Sequence, residues 1–181
     1  MDESKRTQIS KYLSYHLRHR PDALGIELEP GGWVRIDTLL AAAAERGKKL
    51  RREQLDAVVA SCAKRRFTLD AAGGRIRANQ GHSVSVDLQL TRATPPVMLY
   101  HGTHHRAVKS IQTDGLLKMN RHHVHLSADL ETAQAVGSRR GKAVIFGVDT
   151  ATMVEKGYAF FVSDNGVWLT DAVPPEFLLL D

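Results

Sequence analysis

Thr94-Pro95-Pro96 cuts the 181-residue chain near its middle. Two adjacent prolines have no amide protons to donate and hold φ near about −65°, so neither a helix nor a central strand runs through them. The sequence before them has the spacing of helices, and the sequence after them the spacing of short strands. The expectation is an α+β protein with one lobe over residues 1–93 and a second over residues 94–181.

In residues 5–18, Ile9, Leu13 and Leu17 stand four apart with Tyr12 beside them, which is one apolar helix face. Pro21 lies just past its end. Gly31-Gly32 marks a turn ahead of a short strand at Trp33, Val34 and Ile36. Asp37 is the expected N-cap of a second helix through Ala44, closed by Gly47. A third helix is expected over about 51–63, with Leu55, Val58, Val59 and Cys62 facing inward. RFTLD and GRIRAN read as two strands joined by Ala71-Ala72-Gly73-Gly74. Three helices followed by a hairpin is the element order of a winged-helix module, an analogy of fold only. Beyond the prolines, VMLYHGT, HHVHLS, KAVIFGVD, AFFVS and GVWLT read as strands, with helices over 104–113 and 128–137. Such a lobe is mainly antiparallel.

Charge is unevenly shared. Residues 1–92 hold 17 Lys and Arg against 11 Asp and Glu, a net of +6, while residues 93–181 hold 8 against 9. A basic lobe suits a polyanionic partner, although a merely solvated basic surface has the same charge. Cys62 is the only cysteine, which leaves no internal disulfide and suits a reducing compartment. No apolar run approaches the roughly 20 residues of a membrane span, and MDESKRTQ has no hydrophobic signal core. A cytoplasmic protein is expected.

Polar residues concentrate in a few places. Arg18-His19-Arg20 by itself reads as a helix C-terminus with cations that favour the dipole. Lys64-Arg65-Arg66 reads as a solvated junction before the inward Phe67. Arg77 to Ser83 is a dense row of hydrogen-bond donors around Gly81, suited to cradling a phosphate or sitting at a domain junction, with Asn79 and His82 in it. In Tyr100-His101-Gly102-Thr103 the glycine would let a ligand approach the backbone, flanked by two directional side chains. Alternation puts His123 and His125 on one strand face and Val124 and Leu126 on the other. No cysteine cluster or HExxH helix accompanies these histidines, so no metal is expected. Asn165-Gly166 is a hairpin turn signal.

Taken in order, LSYHLRH (13–19), RRF (65–67), IRANQGHS (76–83), YHGT (100–103), HVHLS (123–127), VGSRRGK (136–142) and SDNGVWLT (163–170) resemble the RNA 2′-phosphotransferase family over nearly the whole chain. Each motif is weak alone, and the ordered set is specific. The resemblance implies a winged-helix lobe followed by an ADP-ribosyltransferase-like lobe. It implies NAD as co-substrate, an RNA bearing an internal 2′-phosphate as partner, and a monomer. Nicotinamide, 2′-hydroxyl RNA and ADP-ribose 1″,2″-cyclic phosphate are the implied products, reached through an ADP-ribosylated RNA intermediate. The family's essential residues map onto Arg18, His19, Arg66 and Arg139, the last taken over the adjoining Arg140 as second residue after Gly137. NAD contacts are implied at Tyr100, His101, Gly102, Thr103, His125, Ser127 and Val167. ADP-ribosyltransferases that modify proteins usually carry a glutamate where Val167 stands. The alternative of the same chemical class is NAD-dependent capping of terminal phosphates on RNA or DNA.

Overall fold

In the computed structural model, which describes residues 1–180 apart from the side chain of Arg140, helix α1 runs from Glu3 to Arg18. The Asp2 carboxylate caps it by accepting the Lys5 amide at 2.7 Å, and its charge suits the positive end of the helix dipole. Ile9, Leu13 and Leu17 are buried, as their spacing predicts.

Strand β1 (Trp33–Arg35) leads straight into helix α2 (Ile36–Glu45). Asp37 is therefore not the N-cap but a residue of the first turn. The reason is packing: Ile36 is fully buried, and its amide donates to the Gly74 carbonyl at 3.0 Å. A tertiary partner thus satisfies a helix-start donor that a side chain usually takes. Helix α3 (Arg52–Ala60) ends earlier than its pattern suggests. The chain turns at Ser61, so Cys62 leaves the helix and is only half-buried. Strands β2 (Phe67–Leu69) and β3 (Arg75–Ala78) form the expected hairpin, and the three strands pair antiparallel in the order β1-β3-β2. Leu13, Leu17, Ile36, Leu39, Leu55 and Ile76 are fully buried between these elements. Each such side chain contributes about 1.5–3 kcal/mol.

The chain divides into two units, Met1–Gln89 and Leu90–Asp181. The division falls ahead of Thr94 because Thr91–Arg92 (β4) pairs with Phe161–Val162 in the second unit.

Elements of the second unit follow in order: β5 (Met98–His104), α4 (Val108–Asp114), β6 (Leu116–Leu117), β7 (Val124–Leu126), α5 (Leu130–Gly137) and β8 (Ala143–Asp149). After them come α6 (Thr150–Glu155), β9 (Phe161–Val162), β10 (Trp168–Thr170), β11 (Ala172–Val173) and β12 (Leu178–Leu180). Two sheets, β12-β8-β5 and β4-β9-β10-β7, and the ribbon β11-β6 are all antiparallel. A bridge between Tyr100 and Ser127 ties β5 to the end of β7. The sequence pattern misses α6, a helix of six residues that Asp149 caps through the Thr152 amide at 3.0 Å. Its turn is too short to show a period.

Helix α5 sits on β5 so closely that side chains are excluded. A Cβ on Gly102 would lie 1.8 Å from the Ala133 carbonyl oxygen, and one on Gly137 would lie 2.7 Å from the Thr103 carbonyl oxygen. Neither glycine has positive φ, so space rather than backbone freedom demands them. This corrects the reading of Gly102 as room left for a ligand: its missing side chain makes room for the backbone of α5. Among the described residues no helix is long and apolar enough to cross a membrane.

Candidate active site

Three of the sequence-predicted residues come together in the first unit. Arg18 ends α1, and its Nη2 donates to the Arg66 carbonyl at 3.4 Å. His19, the C-cap, is exposed, with its Nδ1 2.9 Å from Ser83 Oγ. Arg20, the third cation of the cluster, is engaged by Asp22 at 2.9 Å and belongs to the surface. The helix end thus gives two polar groups to the site and one to a local ion pair.

The donor-rich segment after β3 braces this cluster. Asn79 is buried, its amide donates to the Arg66 carbonyl at 3.0 Å and its Nδ2 to the Arg65 carbonyl at 2.7 Å. Thr68 Oγ1 donates to Asn79 Oδ1 at 2.8 Å. Arg65 is held at φ 41°, in the left-handed region rare for non-glycine residues. Two residues after Asn79, Gly81 takes φ 86° and passes beside the Arg18 guanidinium, with 3.7 Å from its Cβ position to Nη1. Ser83 then donates its amide to the Arg18 carbonyl at 2.9 Å. His82 is fully buried within the unit. Asn79, Gly81 and Ser83 are positioning residues for Arg18, His19 and Arg66. Sequence reasoning saw their donors but not their partners, which lie up to 65 positions away.

Arg18, His19 and Arg66 line one end of a groove of about 710 Å³ between α1 and the turn after α3. Cys62 lies in its wall, accepting from the Arg66 guanidinium at 3.3 Å and the Arg66 amide at 3.5 Å. Burial pushes the Cys62 thiol up, but the Arg66 amide and guanidinium outweigh it and hold the thiol below its usual range.

In the second unit, Tyr100, His101, Gly102 and Thr103 follow one another on β5, and Ser127 lies opposite Tyr100 with reciprocal amide–carbonyl bonds of 2.9 and 2.8 Å. His101 Nδ1 is 3.1 Å from the His125 carbonyl. A carbonyl only accepts, so Nδ1 carries the proton and the neutral ring presents Nε2 as an acceptor. His125 itself takes the Arg121 guanidinium at Nδ1, 3.4 Å away. Val167 closes the turn between β9 and β10, where its amide donates to Ser163 Oγ at 3.2 Å and Gly166 takes φ 78°. Arg139 is exposed in the helical turn after α5.

Burial holds His101 below the ordinary imidazole range; the His125 carbonyl opposes this and the Arg121 charge adds to it. His123 is lowered as well, chiefly by burial, with Asp171 opposing. Because both values are lower in the folded chain, the unfolded chain binds more protons in the interval between. The stability of the neutral rings is complete above about pH 6.5 and is lost as pH falls through that value towards the lowered ones. Urea unfolding should show a lower midpoint at about pH 5.5 than at about pH 7.5, and His101→Gln should shrink the difference. Equal midpoints for the unaltered protein would sink this assignment.

A family model described as RNA 2′-phosphotransferase, Tpt1/KptA family, matches residues 4–172. A probable RNA 2′-phosphotransferase of Nostoc punctiforme is 57% identical over 178 residues, covering 98% of each chain. One from Streptomyces griseus is 54% identical over 99% of each chain. Another, from Burkholderia pseudomallei, is 51% identical over 95% of this chain and 94% of its own.

Proposed function

This chain belongs to the RNA 2′-phosphotransferase family, and on that premise we propose that it passes an RNA 2′-phosphate to NAD. The observation that carries this reading is the gathering of Arg18, His19 and Arg66 at one end of a basic groove. The first unit, with three helices before an antiparallel β2–β3 hairpin, supports a winged-helix reading. The antiparallel sheets of the second support an ADP-ribosyltransferase-like one.

A phosphate dianion is already a nucleophile and needs no general base. It needs its charge held, which guanidinium forks do in bidentate fashion. In the first step a phosphate oxygen attacks C1″ of the nicotinamide ribose. The C1″–N bond breaks, and its electron pair leaves with neutral nicotinamide. In the second, the ribose 2″-hydroxyl attacks phosphorus and releases its proton, while the bond from phosphorus to the RNA 2′-oxygen breaks. His19, held at Nδ1 by Ser83, protonates that departing oxygen. Arg18, Arg66 and Arg139 hold the charge on the phosphoryl group. The products are 2′-hydroxyl RNA and ADP-ribose 1″,2″-cyclic phosphate.

NAD is assigned to the second unit, against Tyr100, His101, Thr103, His125, Ser127 and Val167, with Gly102 offering only its backbone because α5 fills the space beside it. The chemistry of this donor set suits it: a neutral His101 with Nδ1 committed to a carbonyl offers Nε2 to a ribose hydroxyl. No metal enters the reaction.

Incubation with NAD and an RNA bearing an internal 2′-phosphate tests the reading. Nicotinamide release should depend on that phosphate, and the RNA should end with a 2′-hydroxyl. No release would sink the proposal. A terminal phosphate that keeps ADP-ribose as the final product would replace it with end-capping.

A further inference from the structure

We infer that the groove running along α1 away from Arg18 is a track for single-stranded RNA flanking the 2′-phosphorylated nucleotide, with Arg6 and Lys11 on its phosphates and Tyr15 under a base. This deepens the proposed function and rests on it. The face of α1 turned from the core repeats with the helix: Arg6, Ser10, Ser14 and Arg18 stand four apart, as do Thr7, Lys11 and Tyr15. All seven line the groove. From Arg6 to Arg18 the helix rises about 18 Å, so the track extends well past one phosphate and has room for a few nucleotides.

Charge selects the occupant. Lys64 joins the walls from the turn after α3, and among the described residues lining the groove Glu3 is the one acid, at the far end of α1 from Arg18. A row of cations with hydroxyls between them matches a phosphodiester backbone. Tyr15 separates nucleic acid from other polyanions. Tyr15 is 49% exposed on the groove wall, and its ring stands edge-on against that of His16 with centroids 5.0 Å apart. A held, accessible aromatic ring beside a cationic row is a platform for a base, and every base has a face to stack on it. Recognition of this kind carries little sequence preference.

The test compares two substrates in the full chain: a dinucleotide with an internal 2′-phosphate, and a hexanucleotide with the same phosphate at its centre. At low salt the hexanucleotide should have a kcat/KM roughly tenfold or more above that of the dinucleotide, the size expected from a stacked base and two phosphate contacts. In the triple variant Arg6→Ala/Lys11→Ala/Tyr15→Ala that ratio should fall close to one. A wild type with no preference, or a variant that keeps it, overturns the track. If neither substrate releases nicotinamide, the proposed function fails, and RNA binding still decides the track. Anisotropy with an unmodified hexanucleotide should give a log affinity against log salt slope that falls by about 1.4 in the variant, at about 0.7 per cation lost. Lys11→Ala alone should lower the slope by about 0.7 and serves if the triple variant folds poorly. An unaltered slope, or polyglutamate competing as well as RNA of equal charge, overturns the assignment.

Discussion

Gly102→Ala is expected to lower the melting temperature by about 6–12 °C or more, the equivalent of at least about 3 kcal/mol in a chain of this size. Extra atoms in a packed interior usually cost about 1–3 kcal/mol because neighbouring side chains rotate away. Here the first obstacles are backbone: the Ala133 carbonyl oxygen at 1.8 Å, its carbon at 2.6 Å and the Gly137 amide nitrogen at 3.0 Å. Backbone inside a helix has no rotamer to change, so α5 itself must lift from β5. Gly74→Ala is the control, since nothing lies within 4 Å of that Cβ position and its φ is ordinary. Calorimetry on the two variants checks the expectation. A Gly102→Ala protein that melts with Gly74→Ala would mean α5 is not seated on the strand.

Arg18→Ala and Arg66→Ala should each slow the second step of the proposed reaction by about 1–3 kcal/mol, roughly five- to 150-fold. The clamp matters most when phosphorus is attacked, so ADP-ribosylated RNA should accumulate. The double variant should lose less than the product of the two single losses. Arg18 donates to the Arg66 backbone carbonyl, and both are braced by the same Asn79–Ser83 segment, so removing the Arg18 side chain already disturbs the seat of Arg66. Quenched-flow analysis of labelled 2′-phospho-RNA reads both quantities. The same readout on Arg139→Ala decides that residue's place in the set. Independent, fully multiplicative losses would remove the Arg18–Arg66 coupling from the account, and normal turnover would remove these arginines from the chemistry.

How much of this was legible beforehand depended on distance along the chain. Ile9, Leu13 and Leu17 announced α1, the Ala-Ala-Gly-Gly segment announced the β2–β3 hairpin, and alternation around Val124 and Leu126 put the histidines on the other face. Each of these rests on neighbours within a few residues, where backbone geometry alone relates sequence to shape. The ordered motifs likewise led to Arg18, His19 and Arg66 before any contact was known.

Tertiary structure decided what those residues touch. Asp37 had the composition of a cap, yet burial of Ile36 and the Gly74 carbonyl moved the helix start ahead of it. Cys62 had helical spacing, yet the turn at Ser61 carried it to Arg66. Gly102 suggested room for a ligand, and the space belongs to a helix 31 positions away at Ala133. The hydrogen-bond donors of Asn79 to Ser83 were visible in the sequence, but a donor has no direction until the chain closes on itself. By itself the sequence determined most of the local elements and named the residues proposed to carry the chemistry. Which backbone groups hold those residues in place was decided only by packing, because hydrogen bonds and close contacts between distant segments leave no period in the sequence.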